Sequence, residues 1–418
     1  MKERTIVVVG AGPAGLMAAI SASQNNNNNR VIVLEKNSEA GKKLLLTGGG
    51  RCNVTNNCNV DQLIKNTVTN GKFLFSCFNI FNNDDLMKFF ENYGLKLKIE
   101  EGGKVFPTSD KARDVLYILL ETLESNGVKI WYDSEVEKIN INENGISEIT
   151  LRNKNIIKAD SVIIATGGMS YPKTGSTGDG YRIVKELGHA VVDIKPGLVP
   201  IEIKEGWIKS LMGISLESTN IVCNVKDIEK PNKKPKTIKW TGPLIFTHYG
   251  ISGPAVLNIS SYLNKHINNS IIDIIIDIVP NVSEQELENI LVSKEFEKNE
   301  TIFKTLSKIL PKNLVTALLD VLELNKDKKL SDISKEESNK IITNLKTLKL
   351  TPKDLRSISE AIITSGGIST KEIDPKTMAS KLVEGLYFAG EIIDVDAITG
   401  GYNLQIAFTT GYVAGLNA

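Results

Sequence analysis

Paired cysteines are missing from this chain. Cys52, Cys58, Cys77 and Cys223 show no CxxC and no metal-ligand spacing. That pattern argues against a thiolate metal site and for a reduced, cytoplasmic protein with no bound metal. Charge of one sign is also lacking: the net charge of +1 gives no global field to recruit nucleic acid or an anionic membrane, although a local basic patch is compatible with it. Long apolar runs are absent too. The most apolar stretch, IIDIIIDIV from Ile271, carries Asp273 and Asp277, so it reads as a strand rather than a membrane span. The opening MKERTIVVVGAG has no basic, apolar and small-residue regions of signal-peptide type. No internal repeat stands out. The expected partner is a small-molecule substrate, not a membrane and not nucleic acid, with the chain a monomer or homodimer.

What is present is the composition of a globular protein, 41% hydrophobic and 24% charged over 418 residues, enough for two or three domains. Arg4 to Val9 (RTIVVV) is a β-branched run of buried-strand type. GAGPAG follows, then the small-residue helix LMAAISAS, then a second apolar run, VIVLEK. Gly10, Ala11, Gly12, Pro13, Ala14 and Gly15 thus form a GxGxxG turn between strand and helix. Gly10 permits the tight turn, Gly12 lets backbone N–H groups approach a pyrophosphate, and Gly15 allows helix and strand to pack closely. The helix N-terminus favours phosphate charge, and Glu35 accepts from ribose hydroxyls. This motif alone leaves NAD and FAD both open. The run Asn25 to Asn29 reads as a solvent loop.

Further along, Ser109 or Asp110 is placed to cap a helix beginning near Ala112. VKIWYDSEVEKINI and GISEITL alternate like hairpin strands. ADSVIIATGG is a buried strand ending in Gly167 and Gly168, and a second glycine-rich turn, TGSTGDG, leads into a helix. Asp179 there either caps that helix or steadies a cofactor loop. From about Ile194 short alternating strands suggest a β-rich insert. Residues 283 to 350 are charged and helix-patterned, and helix-to-strand alternation returns from Pro352. The boundaries read as 1–193 and 351–418 for an α/β cofactor domain, 194–282 for the insert and 283–350 for its helical segment. The last glycine turn, Gly400-Gly401, opens a final helix whose N-terminus would face a ring that gains negative charge on reduction, which favours a flavin over a nicotinamide.

One stretch asks for an explanation: GKKLLLTGGGRCNVTN, Gly41 to Asn56. Three consecutive glycines carry a large entropic cost, so the segment is either a floppy turn or a backbone that passes close to something flat or charged. With the blocks GKVFPTSDKARDVL, ATGGMSYPKTGSTGDGY, GPLIFTHYGISGPAVL and EGLYFAGEIIDVDAITGGYNLQIAFTTG it resembles the HI0933-like family of FAD-dependent oxidoreductases, the BaiN and aminoacetone-oxidase-like flavoproteins, over nearly its whole length. The resemblance implies a Rossmann-like FAD-binding domain interrupted by a β-barrel-like insert with a helical segment. It implies that Lys36, Lys43, Leu44, Thr47, Gly48, Gly49, Gly50, Arg51, Cys52 and Asn53 lie along the cofactor, with Arg51 and Asn53 as donors to phosphate or flavin oxygens. It places Val136, Ala165, Thr166, Gly167 and Gly168 on the adenosine side. Gly390 and Glu391 fall near ribityl hydroxyls, and Gly400, Gly401, Tyr402, Asn403 and Leu404 at the flavin's pyrimidine end.

For chemistry, His248 in FTHYGISGP is an acid–base candidate or a structurally satisfied histidine; His189 and His266 read as structural or exposed. Arg51 and Tyr402 complete the catalytic set. Tyr402, like Tyr171, either donates to substrate or packs on the ring. Cys52 reads as buried against the cofactor rather than as half of a redox dithiol. No second GxGxxG appears, so NAD(P)H is expected only as a transient reductant. The leading expectation is an NAD(P)H-driven reductase that passes hydride from flavin N5 to an enone-like C=C bond, steroid- or bile-acid-like. The alternatives are an amine oxidase using O2 and a flavin-containing RNA- or protein-binding module, for which the basic stretch KPNKKPKTIK (Lys230 to Lys239) is the supporting feature.

Overall fold

The computed structural model describes residues 4–26, 28–143, 145–229, 234–292 and 300–418. Position 27 of the asparagine run and positions 230–233 of the basic stretch lie outside them. The chain divides into two compact units, residues 1–197 with 358–418, and residues 198–357.

The first unit is built on a five-stranded sheet in the order Leu386–Phe388, Ser161–Ile164, Thr5–Val9, Arg30–Leu34, Lys129–Trp131. Every neighbouring pair is parallel, the arrangement of a doubly wound α/β fold whose ligands sit at the C-terminal strand ends. Ile6, Val7 and Val8 are fully buried, as a central strand covered on both faces requires. The helix Pro13–Asn25 leaves the central strand, and the last helix, Tyr402–Asn417, packs along it. That contact is close. A Cβ on Gly411 would lie 2.2 Å from the Ala14 carbonyl oxygen, and one on Gly415 would lie 2.1 Å from that of Ala18.

The second unit carries a seven-stranded antiparallel sheet, ordered Leu348–Leu350, Ser270–Asp277, Ser215–Asp227, Lys236–Phe246, Gly250–Ser252, Ile201–Ile203, Pro352–Leu355. Ile272, Ile274 and Ile276 point into its core while Asp273 is exposed, so strict alternation explains how an apolar run tolerates two aspartates. Helices Pro254–Leu263, Lys312–Val321 and Lys335–Lys346 contribute to the same core. The expected barrel is not closed by a ladder among the described residues. Its two edge strands are nevertheless consecutive, separated by Thr351, whose carbonyl accepts from the Lys204 N–H at 2.9 Å. Pro352, lacking an N–H, breaks the strand at that point.

Three expectations are corrected, two by strand pairing and one at a helix cap. Val191–Gly197 joins Ile363–Ile368 in the first unit, and Pro352–Leu355 joins Ile201–Ile203 in the second, so the insert runs from 198 to 357 rather than from 194 to 350. VKIWYDSEVEKINI is not one hairpin arm. Lys129–Trp131 is an edge of the parallel sheet, and only Val136–Asn142 pairs with Gly145–Leu151. Neither Ser109 nor Asp110 caps the helix Ala112–Ser125, whose cap position is Lys111 with no side-chain bond. No helix among the described residues is long and apolar enough to cross a membrane.

Candidate cofactor site

The GxGxxG turn lies at the C-terminal end of the central strand. Gly15 is there for contact: a Cβ would lie 1.9 Å from the Gly10 carbonyl oxygen. Gly12 is there for space: a Cβ would meet no protein atom within 4 Å. The helix that follows has no side-chain cap and begins with Pro13, so its first N–H groups are left for a ligand, with the positive end of the dipole behind them. Buried Glu35 accepts from the Ala11 N–H at 2.9 Å through Oε2, and from the N–H and Nδ2 of Asn37 at 2.8 and 2.6 Å through Oε1. A carboxylate offers about four acceptor sites, so three protein bonds leave room for a hydroxyl. Lys36 is held by Thr177 and by an ion pair with Asp179. Asp179 occupies the first turn of the helix Asp179–Glu186 behind Gly178 at the cap, so it steadies the loop rather than capping.

The glycine triplet is neither floppy nor extended. Gly48, Gly49 and Gly50 adopt φ of 58°, 68° and 88°, three successive left-handed residues that only glycine occupies without a penalty of about 1–2 kcal/mol each. Thr47 donates to the Leu44 carbonyl at 2.6 Å, and the Cys52 N–H to Thr47 at 3.0 Å. Lys43 donates to Glu391 at 2.6 Å and to Ser170 at 2.7 Å. Glu391 in turn accepts from the Thr364 N–H at 2.7 Å and from Ser170 at 3.1 Å. Gly168 packs on Thr364, whose hydroxyl accepts from the N–H groups of Met169 and Ser170. The Tyr181 hydroxyl donates to the Glu391 carbonyl at 3.4 Å, beside a cleft of about 580 Å³ lined by Met169, Gly178, Tyr181, Arg182, Val191 and Ile194. Ser170 and Thr364 are site residues that the sequence reading missed, since a lone hydroxyl in a loop carries no spacing signal.

Arg51, expected as a donor to phosphate or flavin oxygens, has two of its three nitrogens engaged by acids of the protein. Its Nε and Nη2 are taken by Asp110 at 2.8 and 2.6 Å and by Glu100 at 2.5 Å, its plane lies 4.1 Å from the Phe106 ring, and Lys98 bridges the same acids. Hydrogen bonds from Arg51 hold the Glu100 carboxyl below its ordinary range, and those from Lys98 and Arg51 do the same for Asp110. Cys52 is fully buried with φ 61°, and burial pushes its thiol up to about 12.

At the other glycine turn, a Cβ on Gly401 would lie 2.3 Å from the Thr55 carbonyl oxygen. The helix that starts with Tyr402 has no side-chain cap. Tyr402 is buried beside Cys58 and Asn66, and burial pushes its phenol up to about 12. Asn403 accepts from the Ala397 N–H at 3.0 Å and donates to the Ala397 and Ile398 carbonyls, so its amide holds the turn, with Leu404 half-buried behind it. Gly390 sits against Ala14, where a Cβ would be 2.7 Å from that of alanine, and its N–H donates to Thr410. Ala165 donates to the Val9 carbonyl, and Val136 opens its hairpin strand. His248 belongs to the second unit, exposed on the turn between two strands with its ring against Tyr249. His189 is buried in the first unit between Glu372 and Ser380.

The donor set fits FAD. Two uncapped helix N-termini, the space at Gly12, and the buried Asn53 Oδ1 and Thr166 Oγ1, which have no hydrogen-bond partner among the described residues, supply what a dinucleotide's phosphates, hydroxyls and ring edge would use.

A family model of the HI0933-like protein Rossmann domain matches residues 4–417. The chain belongs to the HI0933-like family. It is an FAD-dependent oxidoreductase, as the resemblance implied. The 3-dehydro-bile acid delta(4,6)-reductase of Clostridium scindens is 30% identical over 98% of each chain. A ribosomal RNA dihydrouridine synthase of Haemophilus influenzae is 30% identical over 98% of this chain and 97% of its own. Among solved structures, the 3-ketosteroid-delta4-(5alpha)-dehydrogenase of Rhodococcus jostii superposes with a TM-score of 0.53 at 14% identity, covering 99% of this chain and 96% of that one, which is a likeness of fold.

Proposed function

We propose that this HI0933-like protein reduces a carbon–carbon double bond conjugated to a carbonyl, with NADH or NADPH as electron donor. One observation carries this reading: two relatives of equal identity and near-complete coverage bear names from different substrate worlds that share one reaction. A delta(4,6) bond system of a 3-dehydro steroid is conjugated to the 3-oxo group. The double bond lost when uridine becomes dihydrouridine is conjugated to a ring carbonyl. In each case hydride enters the carbon remote from the carbonyl and a proton enters its neighbour.

FAD supplies the hydride when bound. The chain's own residues hold it and manage the proton. The N–H groups that open the helix after Gly12 would seat the pyrophosphate, Glu35 would hold the adenosine ribose, and Asn53 and Thr166 would meet further polar atoms. Tyr402 is a neutral phenol at physiological pH, as a tyrosine of ordinary value about 10 already is, and burial pushes it further up, to about 12; it is the group assigned to donate the proton. Arg51 holds the glycine turn through Glu100 and Asp110.

The test is anaerobic mixing of purified protein with NADH or NADPH while the visible flavin band is followed, then addition of a conjugated cyclic enone. Bleaching by a nicotinamide and recovery on adding the enone is the expected result. A flavin untouched by both nucleotides but bleached by aminoacetone overturns the reading in favour of an amine oxidase.

A further inference from the structure

We propose that Asp110 and Glu100 tune the flavin: they neutralise Arg51 and Lys98 beside the glycine triplet, and so keep the bound cofactor a stronger reductant than an unpaired arginine there would allow. This rests on the triplet lying along FAD, and it adds two positioning residues that act on the cofactor through Arg51.

The chain after the triplet builds the clasp. Lys104–Pro107 pairs on one side with Thr55–Asn56 and on the other with Leu97–Ile99. Phe106, in the middle strand, is buried, and its ring serves two neighbours. A Cβ on Gly48 would lie 3.2 Å from its Cε1, and the Arg51 guanidinium lies 4.1 Å from its centroid. Lys98 belongs to the outer strand, Glu100 follows it, and Asp110 stands three residues past Pro107. One Asp110 oxygen accepts from Nε and Nη2 of Arg51, and the other accepts from Lys98 at 2.7 Å. Glu100 takes Nη2 of Arg51 and pairs with Lys98 at 3.2 Å. Two cations thus meet two acids, and the cluster is neutral.

Two further observations point the same way. Asp110 is left-handed at φ 56°, with its N–H on the Pro107 carbonyl at 3.0 Å. That backbone is uncommon for a residue with a Cβ, and such an outlier, here one whose carboxylate reaches both cations, is a pointer to function. The other two basic residues expected along the cofactor are matched as well, Lys36 by Asp179 and Lys43 by Glu391. A Cβ on Gly49 or Gly50 would meet no protein atom within 4 Å, so the triplet turns bare backbone outward one residue before Arg51.

A flavin ring gains negative charge on reduction. A cation beside it favours the reduced form and raises the potential, and an acid lowers it. The four side chains of the clasp are 34–40% exposed, so salt screens them in part. The balance of the clasp therefore shows when one charge is removed, and the sign of the change follows the charge taken away.

The experiment measures the midpoint potential of the flavin in the holoprotein against a reference dye, at about 50 mM and about 500 mM KCl. Asp110→Asn and Glu100→Gln should raise the potential. Arg51→Met and Lys98→Met should lower it. The double variant Arg51→Met, Asp110→Asn should fall near wild type, and the spread among the single variants should shrink at the higher salt. Asparagine suits a left-handed backbone; Glu100→Gln and Lys98→Met give the same two signs without touching residue 110 or 51, should either of those variants fold poorly. Equal potentials in wild type and all variants would overturn the proposal. So would shifts of one sign in acid and cation variants alike, the mark of a loosened loop rather than a lost charge. Failure of the placement beneath it shows separately, as a Gly49→Ala variant that keeps its flavin with an unchanged visible band.

Discussion

Gly12 and Gly15 stand three positions apart and lack a side chain for opposite reasons, which makes them separable. Gly12→Ala fills space that no protein atom occupies. It should cost at most about 1 kcal/mol in the flavin-free protein yet abolish flavin retention, read as absorbance of the purified protein. Gly15→Ala drives a methyl group into the Gly10 carbonyl and should cost about 3 kcal/mol with or without flavin, read as a urea midpoint. The buried thiols give a pH signature. Burial pushes Cys52, Cys77 and Cys223 each up to about 12, against an ordinary value near 8.5. The folded chain then keeps protons that the unfolded chain releases. Stability from this source is intact below about pH 8.5 and falls by about 1.4 kcal/mol per pH unit per thiol as pH rises toward 12. Urea midpoints between pH 7 and 10.5 should decline, and Cys223→Ala should decline less steeply; an identical slope would remove the explanation. The motif residues were legible at this level because GxGxxG and the triplet ask for glycine by backbone geometry. The ion pairs of Arg51 were not: its acids, Glu100 and Asp110, lie about 50 and 60 positions away with no pattern to mark them.

Strands and helices were legible where periodicity was unambiguous. The central strand, its helix and the alternating SIIDIIID strand are such cases. Boundaries failed where pairing partners are distant in sequence, as with Val191–Gly197, whose partner begins at Ile363. The contact between first and last helices depends on Gly411 and Gly415. Gly411→Ala should separate the helices at a cost of about 2 kcal/mol and weaken flavin binding, because the same helix begins at the Gly400-Gly401 turn; a fluorescence titration of flavin-free protein reads the second effect. In the second unit, the Thr351 N–H between the edge strands donates to both oxygens of Glu205 at 3.1 and 3.0 Å. Glu205→Ala should cost about 1–3 kcal/mol. Trp207 and Trp240 report on that unit and Trp131 on the other, so a Trp131→Phe background isolates the loss.

Two units with separate cores imply two thermal transitions. FAD at a hundredfold its dissociation constant should stabilise the first unit by about 2.7 kcal/mol and leave the second unit's transition in place. Calorimetry of flavin-free protein with and without added FAD shows whether one transition moves or both. The insertion itself was legible as a change from βαβ texture to short alternating strands and back. The order of its strands was not, because which strands pair is encoded by no local pattern.

The cofactor unit is assembled from both ends of the chain, with its outer parallel strand at Leu386–Phe388 and the helix that covers the first one at the extreme C-terminus. During synthesis, therefore, everything up to residue 197 emerges as an incomplete sheet. About 220 further residues must follow, roughly 10–45 s at bacterial and eukaryotic elongation rates, while the contiguous inserted unit has all its strands by residue 357. The order of maturation on the ribosome is thus the reverse of the order of the sequence: the part encoded first closes last, and the edge of its Ser161–Ile164 strand stays unpaired until Leu386–Phe388 arrives.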